Sequence, residues 1–170
     1  MAEFFPISGW AAIYDEADLN GDIVAHGAFR QSLAKNGAGA VKLLYQHTAE
    51  TPIGRWLKFE ERARGLYAEG ELLLATQTAR EVTALIDANI IDGLSIGFRT
   101  RKSRRQGAAR LILEADLWEV SVVTFPMAPK ARLITRPAAA AKTTNEANTE
   151  TDNVLAFADH VRRAAKILSA

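Results

Sequence analysis

One serine of this chain lies between two glycines, in the stretch Gly93–Phe98 with the sequence GLSIGF. Alternate side chains of a strand point to opposite faces, so Ser95 is expected in a hollow opposite the apolar side chains of the same stretch. The flanking glycines lack side chains and would let another peptide backbone approach the hydroxyl. A serine nucleophile needs this environment, although an ordinary strand with one small polar residue has the same pattern.

A serine nucleophile also requires a base, and the chain offers three histidines. His47 ends a predicted strand, Val41–His47, where the scaffold can hold its ring rigidly. By contrast, His26 lies in a turn-rich loop and His160 lies in the C-terminal tail. These positions favour His47 as the candidate base.

The third group of such a site is a carboxylate that orients the base. The nearly continuous apolar run Leu111–Phe125 predicts a long central strand, and it contains Glu119. An ionised carboxylate inside a central strand is costly unless it is paired, and a contact with His47 would supply the partner. Asp116 is the competing candidate because it lies at the start of the shorter apolar run that contains Glu119, Leu117–Val123, and could serve if the strand register is shifted. The resulting chain order is His47, Ser95, Glu119.

The motif G-x-S-x-G also occurs in the nucleophile elbow of α/β-hydrolases, but the secondary structure predicted around Ser95 differs from that of the elbow. That elbow needs a strand before the serine and a helix after it, whereas here a predicted helix, 76–88, comes before. The sequence contains no P-loop, H-E-x-x-H or dinucleotide fingerprint, and the acidic loop 15–22 lacks the closing glutamate of an EF-hand. We therefore expect no metal and no cofactor.

The composition of the chain limits the partners, the covalent chemistry and the cellular location that can be expected. The 170 residues include 21 Lys and Arg against 20 Asp and Glu, which gives no reason to expect a nucleic acid as main partner. Cysteine is absent, so disulfides and thiolate chemistry are excluded. No signal-peptide pattern or membrane-spanning apolar segment is present, so we expect a chain that is soluble and not secreted by the usual signal.

Hydrophobic periodicity predicts a mainly β domain in residues 1–136. The basic run 99–105 is expected at a solvated hairpin tip, and residues 137–152 form a predicted flexible linker. Residues 153–170 form a predicted amphipathic helix. The predicted strands are 4–14, 41–47, 53–59, 66–74, 93–98 and 111–125, and the predicted helices of the domain are 27–36 and 76–88.

Six short segments together resemble one family. In chain order they are DLNGDIVAHGAF (18–29), LLYQH (43–47), PIGRW (52–56), GLYAEG (65–70), IDGLSIGF (91–98) and DLWEVSVVTFPMAP (116–129). With these segments in this order, the chain resembles the prohead (procapsid) maturation proteases of tailed bacteriophages, a serine protease family with a fold similar to herpesvirus assemblin. The resemblance runs from about Gly9 to Arg132, and it departs at His26, where relatives commonly carry proline.

The resemblance implies a mainly β fold with helices (α+β): a small, mostly antiparallel β-barrel of about seven strands with surrounding helices. It implies His47 as base, Ser95 as nucleophile and Glu119 as third member, with Asp116 as the alternative. By analogy, the oxyanion region is expected near Phe125, Met127 and the basic hairpin.

The function implied by the resemblance is that of a serine endopeptidase of capsid maturation, inside the assembling procapsid in the cytoplasm of the bacterial host. It would cleave scaffold or the scaffolding segment of the major capsid protein, and also itself. The implied partners are the major capsid protein and the scaffold protein or segment, without a requirement for nucleic acid or a membrane, and a homo-oligomer stays open. A different class of function, a non-catalytic capsid assembly factor that keeps the fold, is also compatible with the sequence.

Overall fold

The computed structural model describes residues 2–135 of the chain. Most of these residues form β-strands. The predicted linker, the C-terminal helix and His160 lie outside these residues. The strands are β1 (Phe4–Ile13), β2 (Asp22–Val24), β3 (Lys42–Tyr45), β4 (Thr48–Arg62), β5 (Gly65–Leu73), β6 (Gly93–Gln106), β7 (Ala109–Val123) and β8 (Leu133–Thr135). The α-helices are α1 (Arg30–Asn36) and α2 (Gln77–Asp87), and Ala38–Ala40 form a short 3-10 helix.

All eight strands belong to one curled sheet with the order β2-β7-β3-β4-β5-β1-β8, in which β6 also pairs with β7. β6 pairs along the whole length of β7. The other edge of β7 is shared by β2, near residues 110–112, and by β3, near residues 119–122. These two pairings are parallel and the others described are antiparallel. The predicted mainly β, mostly antiparallel architecture with helices is confirmed.

A short segment, residues 131–133, joins the two ends of the curled sheet. Trp10 N donates to Arg132 O at 2.9 Å, which attaches the segment to β1. Leu94 N donates to Ala131 O at 2.9 Å, which attaches it to the start of β6. Through this segment, β6 is connected to β1 at Leu94, the residue that precedes Ser95.

The core supports the strand that carries Glu119. Trp56, the largest fully buried side chain, comes from β4, and its indole Nε1 donates to Val120 O at 3.1 Å. A buried indole N–H needs such an acceptor. The Trp56 ring therefore fills the core, and its hydrogen bond holds β7 at the residue next to Glu119. Val120 and Val122 are themselves fully buried, which leaves Glu119 and Ser121 on the opposite face of the strand.

Helix α2 begins where the sequence predicts. Thr76 has extended backbone angles, and its hydroxyl accepts from Ala79 N at 3.3 Å, the arrangement of an N-cap. The helix buries Ala79, Val82 and Ile86 along one face. No helix described in residues 2–135 is both long and apolar enough to span a bilayer.

The basic run was expected at a hairpin tip, and this prediction is wrong. Residues 99–105 lie within β6, and the tip of the β6–β7 hairpin is at Gly107, whose φ is +63°. The strand continues because β7 supplies a pairing partner as far as Ala109. The basic side chains nevertheless lie at the surface, as expected for charged groups.

Candidate active site

The candidate base lies in an unusual two-residue turn. Tyr45 pairs with Thr48, and the two residues between them, Gln46 and His47, have φ values of 53° and 59°. Two-residue hairpin turns of this hand normally use asparagine, aspartate or glycine, because a positive φ is unfavourable for other side chains. Backbone strain is therefore concentrated at His47, which is typical of functional positions.

The side chain of Gln46 ties this turn to the end of β7. Gln46 Nε2 donates to Thr124 Oγ1 at 2.7 Å, and Thr124 N donates back to Gln46 Oε1 at 3.3 Å. The backbone N–H of Gln46 also donates to Val122 O at 2.9 Å. These bonds offset the cost of the turn and fix His47 relative to the strand that carries Glu119.

Cross-strand register brings Glu119 to the same face as Ser95. In the β6–β7 pair, Ser95 is opposite Ser121, and Gly97 is opposite Glu119. Residues two apart on a strand share a face, so these four residues form one polar patch. The Glu119 side chain is only 15% exposed, and its Oε1 lies 2.6 Å from His47 Nδ1. Its second oxygen, Oε2, accepts a short hydrogen bond from the Ser121 hydroxyl.

The two glycines around Ser95 make room for groups of the protein itself. A Cβ at Gly97 would overlap with the carboxylate of Glu119, and a Cβ at Gly93 would lie 2.9 Å from Pro126 Cδ. The sequence led us to expect space for the backbone of another peptide. Instead, Gly97 leaves the volume that the candidate third member occupies.

Ser95 and His47 line the same cavity. Ser95 is 5% exposed, and the cavity, of about 150 Å³, is also lined by Met127. Among residues 2–135, no hydrogen bond joins Ser95 to His47, and such bonds are often long in the absence of substrate. The rest of the wall is apolar near β1 and β6 and polar at loop 15–22. It comprises Ala11, Ala12, Ile13, Glu16, Asp18, Asn20, Asp22, Val24, Leu94, Ile96, Phe98 and Ala128.

Asp116, the alternative third member, lies elsewhere. Arg101 Nε donates to its carboxylate at 2.6 Å, and Arg99 Nη2 donates at 3.1 Å. The hydrogen bond from Arg101 is the main reason why the pKa of Asp116 lies below its usual value. Asp116 borders a groove beside α1 and is not among the residues that line the Ser95 cavity.

His26, the second histidine of the described region, also lies apart from the cavity. Its ring packs edge-on against Tyr14 at 5.1 Å between centroids, and its Nδ1 is 4.0 Å from Glu61 Oε2. Burial, followed by the charge of Glu61, raises the pKa of Tyr14 above its usual value. His26 therefore belongs to a cluster between β1 and β4 and leaves His47 as the histidine in the cavity.

Phe125 and Met127, the residues of the expected oxyanion region, differ in position. Met127 lines the cavity, and its carbonyl accepts from Leu19 N at 3.0 Å, which joins this segment to loop 15–22. Phe125, by contrast, is 88% exposed. Within residues 2–135, no group of three or more His, Cys, Asp or Glu side chains is arranged to hold a metal ion.

Comparison with known sequences assigns the family. A family model described as "Caudovirus prohead serine protease" matches residues 2–160 of the chain. The chain belongs to this family. A prohead protease of Enterobacteria phage HK97 is 33% identical over 122 residues, which cover 69% of this chain and 54% of that protein. The chain thus spans about half the length of this curated relative.

Two solved structures resemble this prohead protease family member in fold. The bacteriophage T4 capsid assembly protease matches with a TM-score of 0.54, at 14% identity, over 71% of this chain and 82% of its own. The KSHV protease, solved with a hexapeptide phosphonate inhibitor, matches with a TM-score of 0.51 at 11% identity, over 78% and 64%. At these identities the likeness concerns the fold, and it confirms the predicted assemblin-like architecture.

Sequence reasoning missed three positions around this candidate site. Ser121 was not singled out because a serine inside an apolar strand carries no motif of its own. The Gln46–Thr124 pair was missed because the two residues are 78 positions apart. Only the strand order β3-β7, with its register, could have indicated that they meet.

Proposed function

We propose that this chain is a serine endopeptidase with Ser95 as nucleophile, His47 as general base and Glu119 as the group that orients the base. The observation that carries the proposal is the 2.6 Å contact between His47 Nδ1 and Glu119 Oε1, made by a histidine that lines the same cavity as Ser95. A carboxylate at Nδ1 keeps the ring proton on that nitrogen, so that Nε2 is left to accept a proton.

The chemistry follows from these roles. Ser95 Oγ attacks the carbonyl carbon of the scissile peptide while His47 Nε2 takes the hydroxyl proton. His47 then gives this proton to the amide nitrogen as the C–N bond breaks, which leaves an acyl-enzyme. Water attacks the ester with His47 again as base, and Ser95 is regenerated. Glu119 stays ionised and stabilises the imidazolium at each transfer.

The tetrahedral oxyanion needs hydrogen-bond donors. We assign this role to backbone amides near Phe125 and Met127. The position of Met127 on the cavity wall supports the assignment, and the tie between its carbonyl and Leu19 N would hold the segment in place.

Family membership supports a role in capsid maturation. The substrates proposed are scaffold protein or the scaffolding segment of the major capsid protein, cleaved inside the procapsid in the cytoplasm of the host. Self-cleavage is proposed within residues 137–152, a polar segment rich in Ala, Thr and Asn of the kind that proteases cut.

Co-expression with the matching major capsid protein tests this proposal. The wild-type chain should shorten the capsid protein, and neither Ser95→Ala nor His47→Ala should do so. Shortening that survives both substitutions would exclude these roles. If no variant, wild type included, shortens the capsid protein, the non-catalytic assembly factor is favoured.

A further inference from the structure

Ser121 is a fully buried polar residue next to the candidate third member. Its relative exposure is 0%, and it is flanked on β7 by Val120 and Val122, which are fully buried as well. A buried hydroxyl requires a partner, and that of Ser121 donates to Glu119 Oε2. The valines pack into the core, so the serine is on the face that carries Glu119.

The two oxygens of Glu119 therefore have different partners. Oε1 contacts His47 Nδ1 at 2.6 Å, and Oε2 accepts from Ser121. With one contact, the carboxylate could rotate about its terminal bond and turn away from the imidazole. With two contacts on opposite oxygens, its plane is fixed, and so is the direction from which His47 is held.

The register of β6 and β7 places the Ser121–Glu119 contact next to Ser95. Ser121 is directly opposite Ser95 in the antiparallel β6–β7 pair, and Glu119 is directly opposite Gly97. The Ser121 hydroxyl is thus anchored to the pair of strands that positions Ser95. A shift of the carboxylate would change the geometry between base and nucleophile, to which such sites are sensitive.

We propose that Ser121 is a positioning residue of the peptidase site, which orients the Glu119 carboxylate toward His47 through a charge-assisted hydrogen bond. The inference rests on the proposed function. It predicts that removal of the hydroxyl slows the chemical step and leaves the binding of a reagent in the cavity unchanged.

The test measures how fast an alkyl fluorophosphonate labels the full-length protein. Ser121→Ala should lower the maximal labelling rate by about tenfold to a hundredfold with little change in the half-saturating concentration. Ser32→Ala is the matched control. Ser32 is another buried serine, which lies on α1, accepts from Leu117 N of β7 at 3.1 Å and does not line the Ser95 cavity. This control should label within about twofold of wild type.

A double-mutant comparison separates positioning from general damage to the fold. In a Glu119→Gln background, Ser121→Ala should cause no further loss, because the group that it positions is gone. Should Ser121→Ala fold poorly, Ser121→Cys puts a slightly larger side chain with a weaker donor at this position and should label at an intermediate rate. Equal labelling rates for the Ser121 and Ser32 variants would overturn the inference.

One readout does not depend on activity. In a Ser95→Ala protein, the His47 Nδ1 proton should give a downfield NMR resonance, and adding Ser121→Ala should move it while adding Ser32→Ala should not. An unmoved resonance contradicts the positioning role. If wild type is never labelled at Ser95, the proposed function fails, and the resonance still decides the role of Ser121.

Discussion

At the scale of single residues, the candidate site depends on how the Glu119 carboxylate is held. Three of its neighbours act together: His47 contacts one oxygen, Ser121 donates to the other, and Gly97 leaves the volume that the side chain fills. The sequence could predict the first contact, because a charged group in a central strand needs a partner. It could not predict the role of Gly97, because the register that places it opposite Glu119 includes a β-bulge just beyond it.

Gly97→Ala should impair the site more than the fold. The added Cβ would overlap with the Glu119 carboxylate, a side-chain end that can move away from His47. We expect fluorophosphonate labelling to fall about tenfold or more, because small displacements at a catalytic group are costly. The midpoint of thermal unfolding should change little, since the preference of a strand for alanine over glycine offsets part of the cost of moving the carboxylate.

Gly39→Ala is the control for this substitution. Gly39 does not have a positive φ, and a Cβ there meets no atom within 4 Å. Its labelling rate should match that of wild type. If Gly97→Ala also labels at the wild-type rate, the site does not depend on the space that Gly97 leaves for the Glu119 carboxylate.

Asp116→Asn should leave labelling unchanged and alter the pH dependence of stability. The arginines, Arg101 first, lower the pKa of Asp116 in the folded state. A lowered folded pKa adds stability above the usual value of about 3.8, and this stability is lost as the pH falls through the folded pKa. The difference in unfolding free energy between wild type and Asp116→Asn should therefore be larger at pH 7 than near pH 3.

Denaturant unfolding at the two pH values measures this difference. A gap that stays constant between pH 7 and pH 3 would show that the arginines do not stabilise the Asp116 anion. Loss of labelling in Asp116→Asn would instead return Asp116 to consideration as the third member.

At the scale of elements, the turn between β3 and β4 contributes most to the position of the base. The sequence predicted a strand ending at His47, but the left-handed pair Gln46-His47 carries none of the usual turn residues. Its conformation is imposed by tertiary contacts with Val122 and Thr124, which lie far away in the chain. Local patterns were sufficient elsewhere, as for the predicted helix 76–88, which the structure forms as α2.

Thr124→Val should loosen this turn. The substitution removes the hydroxyl that accepts from Gln46 Nε2 at 2.7 Å and keeps the side-chain shape. We expect a stability loss of up to about 1 kcal/mol. We also expect a labelling rate reduced severalfold, because His47 is the next residue in the turn.

Thr83→Val is a matched control on α2. Its hydroxyl donates to Ala79 O at 2.8 Å, and Thr83 does not line the Ser95 cavity. This variant should change stability alone. Equal labelling by the two valine variants would contradict a role for the Gln46–Thr124 contact in holding the base.

At the scale of the whole molecule, one curled sheet brings together residues from three separate parts of the chain. His47 follows β3, Ser95 lies near the start of β6 and Glu119 lies in β7, and β7 pairs with both of the other strands. The strand periods and the six family segments predicted the fold class and the order of these residues. The parallel pairing of β3 with β7 was not predicted, because periodicity does not specify which strands are neighbours.

Labelling of the full-length protein with an alkyl fluorophosphonate, followed by peptide mapping, tests the central claim most directly. The account predicts one modified residue, Ser95, and a large loss of modification in His47→Ala and in Glu119→Gln. Modification at another serine, or modification of Ser95 that is unaffected by either substitution, would contradict it.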